Sequence, residues 1–213
     1  RPVHWCIDCK SALAEAEVEY RNKTSKSIFV AFPVDNIEKF TQAFGMQDGV
    51  SNLHFVIWTT TPWTLPANEA IALHPDFEYA LVQHDGQNYV LSEKLLDDCA
   101  AKFGWEEGSY EKLAVAEGKA FESLEACHPF YDKKSKIILG NHVTLDAGTG
   151  CVHTAPAHGY EDYIASKDYD LPIENPVGPN GCFLEKTPLL AGVLIYKGND
   201  QIIELLKDKG LLL

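Results

Sequence analysis

The chain has 213 residues, 46% hydrophobic and 23% charged, enough to bury a core in one large domain or in a domain with a small lobe. Its net charge is −13, from 31 acidic and 18 basic residues, and only Arg1 and Arg21 are arginines. That balance counts against a stand-alone nucleic-acid binder, because phosphate binding runs largely on Lys and Arg; any RNA contact is expected to be local, with a larger partner holding the rest. No apolar run approaches the roughly 20 residues of a membrane span, and the first ten residues lack the apolar stretch of a secretory signal. The six cysteines are therefore expected to be reduced thiols. With Met46 its only methionine, the chain from Arg1 to Leu213 reads as an excised piece of a cytoplasmic, monomeric protein.

Residues 1–26 read as a lead-in, in which Ser11 to Tyr20 alternates as either strand or helix. Ser27 to Val34 reads as a strand and Asn36 to Phe44 as a short helix closed by Gly45. Leu53 to Trp58 reads as a buried strand that runs into an irregular segment, Thr59 to Pro66, broken by two prolines. Asp85-Gly86 marks a hairpin between Glu78–His84 and Gln87–Leu91. A helix over 92–103 follows, with Ser92 as its cap. Short strands are expected at Lys136–Leu139, Val143–Leu145 and Gly150–Thr154. A helix is expected at Tyr160–Asp168, a turn-rich loop at Asn175–Gly181, and a last helix at Asp200–Lys209 stopped by Gly210. This mixture predicts an α+β fold with an antiparallel barrel or curled sheet at its centre and peripheral helices.

Two segments concentrate the chemistry. Thr59, Thr60 and Thr61 place three hydroxyls at a strand end, followed by Pro62-Trp63-Thr64. They can face a ligand, or they can simply satisfy local backbone groups in a solvated turn. In Gly148 to Tyr163, a strand delivers His153, a Pro/Gly loop carries His158, and a helix opens with Glu161 and Asp162 in its first turn. Acidic residues there are also favoured by the helix dipole alone. Cys151, His153, His158 and Asp162 are all metal-ligand types, yet their spacing matches no familiar closed zinc pattern. Cys151 shares a strand face with His153, but a nucleophilic role would need an activating environment.

The segments WTTTPWTLPAN (Trp58 to Asn68), GTGCVHTAPAHGYEDY (Gly148 to Tyr163) and NPVGPNG (Asn175 to Gly181) closely resemble the connective-polypeptide insertion of isoleucyl-tRNA synthetases. HWCIDCKSALAEAEVEY (His4 to Tyr20) is similar to the segment leading into it, so the resemblance spans essentially the whole chain. Valyl and leucyl relatives carry TTRP at the threonine loop; Thr61 before Pro62, with Trp63 after it, favours the isoleucyl member. Relatives often have Gly where this chain has Ala157.

The resemblance implies a barrel-like editing domain over 27–213, joined through 1–26 to a synthetase core. No HIGH- or KMSKS-type signature of that core is present, so no aminoacylation is expected. The implied activity is hydrolysis of valine from the acceptor end of mischarged tRNA(Ile), and of valyl-adenylate as a further candidate, with no cofactor. One methylene in an apolar pocket is worth only about 1–3 kcal/mol, so a synthetic site alone rejects valine incompletely; isoleucine against valine in this enzyme family is that generalisation's own worked example. By the resemblance, Asp162 holds the α-ammonium, and His153 forms pocket wall and excludes the extra methyl of isoleucine. Thr59, Thr60 and Thr61 bind the terminal adenosine and carbonyl region and order the attacking water. Trp58 and His158 are further substrate-binding candidates. No general base is assigned, because an aminoacyl ester is reactive enough for positioning and oxyanion stabilisation to suffice.

Cys6-Ile7-Asp8-Cys9 admits a redox pair, a plain pair of thiols, or, by the resemblance, half of a structural zinc site completed by the rest of the synthetase. Two rival functions stay open beside hydrolytic editing: a non-catalytic module for the tRNA acceptor end, and a metal-dependent hydrolase using His153, His158 and Asp162.

Overall fold

The computed structural model describes residues 1–22, 24–47 and 49–213. In chain order the elements are β1 (Trp5–Cys6), β2 (Ser11–Ala12), β3 (Ile28–Pro33), α1 (Ile37–Ala43), β4 (Leu53–Thr59), β5 (Ala70–Leu73), β6 (Glu78–His84) and β7 (Gln87–Ser92). They continue with α2 (Leu96–Phe103), β8 (Tyr110–Glu117), β9 (Glu125–Cys127), β10 (Lys134–Leu139), β11 (Val152–Thr154), α3 (Tyr160–Asp168) and α4 (Ile195–Asp208).

The strands form a small hairpin, β1-β2, and two larger sheets: five strands in the order β3-β4-β7-β6-β8, and four in the order β11-β5-β10-β9. The expected antiparallel barrel is corrected on two counts. Each large sheet contains a parallel pair, β4 with β7 and β5 with β10. The ladders among the described residues also stay open rather than closing into one ring. A mixed α/β arrangement of two sheets results, because those parallel pairs join segments separated by long crossovers, which strand periodicity does not encode. The open edge of β3 is met by residues 211–213: the Ala31 amide donates to the Leu211 carbonyl at 2.9 Å and the Leu213 amide to Phe29 at 3.1 Å.

Phe32, Phe40, Phe55, Leu65, Ile71, Tyr79 and Phe121 are fully buried in one apolar cluster. Each side chain of that size contributes about 1.5–3 kcal/mol on burial. Phe121 sits edge-on or tilted against Phe44, Phe55 and Tyr79 and stacks on Phe40. The hairpin at Asp85-Gly86 forms as the sequence requires, with φ of 48° and 72° at the two turn residues. Ser92 is not a side-chain cap; it ends β7, and a 3-10 turn over Glu93–Leu95 precedes α2. Residues 143–145 form no strand; the Val143 amide donates to the Gly140 carbonyl instead. The last helix starts five residues earlier than expected, at Ile195, and ends before Gly210 at φ 68°. Among the described residues no helix is long and apolar enough to cross a membrane.

Candidate functional site

The antiparallel β5–β11 ladder sets His153 opposite Ile71, close to Asn68 at the end of the proline-rich turn. The turn after β4 carries the threonines to the same place. Between them lies a cavity of about 510 Å³, lined by Trp58, Thr59, Thr60, Thr61, His153, His158 and Asp162. Seven residues picked out from two segments about 90 positions apart thus meet in one pocket. Cys6 and Cys9 stand elsewhere, Cys6 at the end of β1 and Cys9 on the turn that leads to β2.

His153 is held at both ring nitrogens. The Asn68 Nδ2 group donates to the Ala70 carbonyl at 2.9 Å and to His153 Nδ1 at 2.8 Å. Nδ1 is therefore the acceptor and Nε2 carries the proton, which it donates to Thr64 Oγ1 at 2.9 Å. Thr64 in turn donates to the Thr61 carbonyl at 2.9 Å. This chain of bonds runs from the threonine loop through the imidazole to β5. Burial pushes the His153 pKa down to about 3, helped by the neighbouring His128, His158 and Lys133. The ring is neutral at physiological pH, and neither nitrogen can take a substrate proton without breaking a bond already made.

Asp162 sits in the first turn of α3 and reaches back, with Oδ2 accepting the Ala155 amide at 2.8 Å. Gly159 makes this approach possible: a Cβ there would lie 2.5 Å from Oδ2. Burial raises the Asp162 pKa, while the Ala155 hydrogen bond and the charge of His142 oppose that rise. Oδ2 is engaged, and Oδ1 is left for a ligand. Glu161, its neighbour, is exposed and does not line the cavity.

The threonines divide. Thr59 is buried and its hydroxyl accepts the Thr61 amide at 3.0 Å, so it closes a local turn as the simpler reading held. Thr60 and Thr61 are exposed at the cavity mouth. Trp58 packs on Gly148, where a Cβ would come within 3.3 Å of the indole and where φ is +82°. The Gly148–Gly150 segment is gripped at each carbonyl: by the Cys99 thiol at 3.2 Å, the Ser92 amide at 2.8 Å and the Tyr79 hydroxyl at 2.7 Å. His158 lies edge-on to Trp63, ring centres 4.8 Å apart, and burial lowers its pKa to about 4. Burial also drives the Cys151 thiol well above its ordinary range, so it offers no thiolate nucleophile.

Thr64 and Asn68 were inside the recognised motif but received no role. His142, another lining residue, gave no sequence signal at all. Among the described residues, no group of three or more His, Cys, Asp or Glu is placed to hold a metal ion. At the β1–β2 turn the Cys9 amide donates to Cys6 Sγ at 3.3 Å, and backbone amides of Cys9 and Asp8 lower the Cys6 pKa. These bonds favour a thiolate at Cys6, while the Cys6 side chain raises the Cys9 pKa; the two sulfurs are of the donor type that a thiolate zinc site uses.

The family described as leucyl-tRNA synthetase, editing domain, matches residues 38–194. Isoleucine–tRNA ligases of Sodalis glossinidius and Pseudoalteromonas atlantica are 53% and 50% identical to this chain over its full length. The chain spans 23% of the length of each. Among solved structures, GlLeuRS-CP1 aligns with a TM-score of 0.69 at 14% identity, covering 88% of this chain and 98% of that one. The P. knowlesi cytosolic leucyl-tRNA synthetase editing domain aligns at 0.68 and 12% identity, covering 88% and 95%. These distant structures share the fold.

Proposed function

This chain belongs to the leucyl-tRNA synthetase editing-domain family, and from that premise we propose that it hydrolyses the ester of valine mischarged onto tRNA(Ile). The observation that carries the reading is the pairing, in one cavity, of an immobilised neutral imidazole with a half-buried carboxylate. Asp162 binds the α-ammonium through a charge-assisted hydrogen bond that the ammonium donates to Oδ1. His153, fixed at both nitrogens, is a rigid wall against which valine fits and the extra methyl of isoleucine does not. Thr60 and Thr61 at the mouth take the terminal adenosine and the ester carbonyl, and their hydroxyls order the attacking water and stabilise the oxyanion. The water adds to the ester carbon, the tetrahedral intermediate collapses, and a proton from that water ends on the departing ribose oxygen. Neither His153 nor His158 serves as an effective base near neutral pH, because burial lowers their pKa values to about 3 and 4.

The tRNA acceptor end and the remainder of a synthetase chain are the partners in this proposal, and the zinc half-site at Cys6 and Cys9 is completed by that remainder. A metal-dependent hydrolase using His153 is disfavoured, since coordination would cost the bond to Asn68 or Thr64. Deacylation of valyl-tRNA(Ile) by the wild-type chain and by Asp162→Ala tests the proposal. Loss of one charge-assisted bond predicts about a hundredfold lower kcat/KM for the variant. Equal rates for the two proteins would remove Asp162 from the mechanism. No cleavage by either would leave a binding module.

A further inference from the structure

A 3-10 turn over Pro62–Ala67 carries the chain from the threonines to Asn68. At its N-terminal end the backbone donors can be counted one by one. Pro62 has no N–H, and the Thr64 amide donates to the Thr61 carbonyl at 3.0 Å. Thr61, the cap residue, gives the turn no side-chain hydrogen bond. The Trp63 amide is therefore the donor that the first turn leaves without an acceptor of its own. It donates to Asn199 Oδ1 at 2.9 Å, across 136 positions of sequence. That is the bond an N-cap side chain ordinarily makes, supplied here from another element.

Asn199 lies on α4, beside the buried face formed by Gly198, Ile202 and Ile203. Gly198 lets the helix sit close: a Cβ there would stand 2.7 Å from the Phe183 ring. The far end of the turn is held from a different direction. His128 Nδ1 accepts the Phe130 and Tyr131 amides, so Nε2 carries the proton and donates it to the Leu65 carbonyl at 2.8 Å. Helix α4 contributes no residue to the cavity lining, yet the turn it grips carries much of the site. The Trp63 ring meets His158, Thr64 joins His153 to the Thr61 carbonyl, and Thr60 and Thr61 run directly into the turn.

We infer that Asn199 is a positioning residue for the threonine loop: from α4 it caps the turn after Thr61 and so fixes where Thr60 and Thr61 stand at the cavity mouth. The inference rests on the roles given to those two threonines above.

Single-turnover cleavage of valyl-tRNA(Ile) tests it, with saturating protein and rates expressed per folded molecule from urea melts. Asn199→Ala should slow cleavage about tenfold, because a small displacement of water-ordering groups costs rate steeply. Asn199→Asp, which keeps an oxygen at the same reach, should return the rate to within about threefold of wild type. Ile203→Ala, which weakens the packing of the same helix without touching Trp63, should lower the urea midpoint and leave the rate within about twofold. In a Thr60→Val/Thr61→Val background, adding Asn199→Ala should change the rate by less than about twofold, since the hydroxyls it positions are gone. An unchanged rate in Asn199→Ala, no rescue by aspartate, an equal loss in Ile203→Ala, or effects that multiply in the threonine background each overturn the inference. If wild type cleaves the ester and the threonine variant is as fast, the threonine roles fail first and take this inference with them. No cleavage by wild type removes the hydrolytic reading and the inference together. Should Asn199→Ala not fold, Asn199→Leu, similar in volume and unable to accept, takes its place with the same expected loss.

Discussion

The pocket is built by two segments that treat their polar groups in opposite ways. On the Trp58–Asn68 side the groups around His153 are bonded to one another, Thr59 to the Thr61 amide, Thr64 to His153 and Thr61, and Asn68 Nδ2 to Ala70 and His153, with Asn68 Oδ1 the buried atom left without a partner. On the Ala155–Asp162 side the groups are left open, with one Asp162 oxygen free for a ligand and His158 Nε2 buried without a partner. Satisfied groups give a wall of fixed shape, and unsatisfied ones give a place where a ligand's own donors and acceptors are needed. In the proposed reading, shape selection and amine recognition would reside in different halves of the same cavity.

Loosening the wall should have the largest effect. Thr64→Val removes the acceptor for His153 Nε2–H without changing side-chain size much, and Asn68→Ala removes the donor to Nδ1. Each should erode discrimination more than catalysis. The ratio of valyl to isoleucyl ester cleavage should fall about tenfold, chiefly through faster isoleucyl cleavage. Single-turnover deacylation of the two esters reads this ratio, and an unchanged ratio would detach the wall from selectivity.

Acid sharpens the comparison, because the same burial that keeps His153 neutral makes it a liability. His128 and His153 have folded pKa values of about 3, and His158 of about 4. All lie below the ordinary histidine value of about 6.5. The unfolded chain then binds more protons than the folded one between those limits. Stability is full above about pH 6.5 and falls as pH drops toward the folded values, by about 1.4 kcal/mol per pH unit for each such histidine. Urea melts from pH 7 to 4 should show that slope, and His128→Gln should reduce it by one histidine's share. A flat profile would contradict the neutral, buried imidazoles.

The smallest effect expected is at the support of Trp58. Gly148→Ala puts a methyl against the indole at a positive φ, and should cost about 1–2 kcal/mol while leaving the ratio of the two cleavage rates within about twofold. A large change in that ratio would place Trp58 in the selective wall.

Much of this was legible in the sequence, for physical reasons that stop at a definite point. Local signals worked where they sufficed: Asp85-Gly86 fixed a hairpin, and Tyr160–Asp168 is the helix its composition predicts. Strand β5, four residues buried on every side just after a proline-rich turn, offers no alternation to read. Strand β8 is missed because it opens with exposed charged residues, Glu111 and Lys112. The motifs named Asp162, His153 and the threonines, but not which threonine faces a ligand. Nor could they show that Asn68 reaches across 85 positions to hold His153, because only the β5–β11 ladder brings those residues together.

Selective hydrolysis is tested directly by incubating the wild-type chain, separately and at equal concentration, with valyl-tRNA(Ile) and isoleucyl-tRNA(Ile) and following ester loss over time. The fixed wall at His153 predicts that valine is released while isoleucine stays attached. Release of both amino acids at equal rates would contradict it.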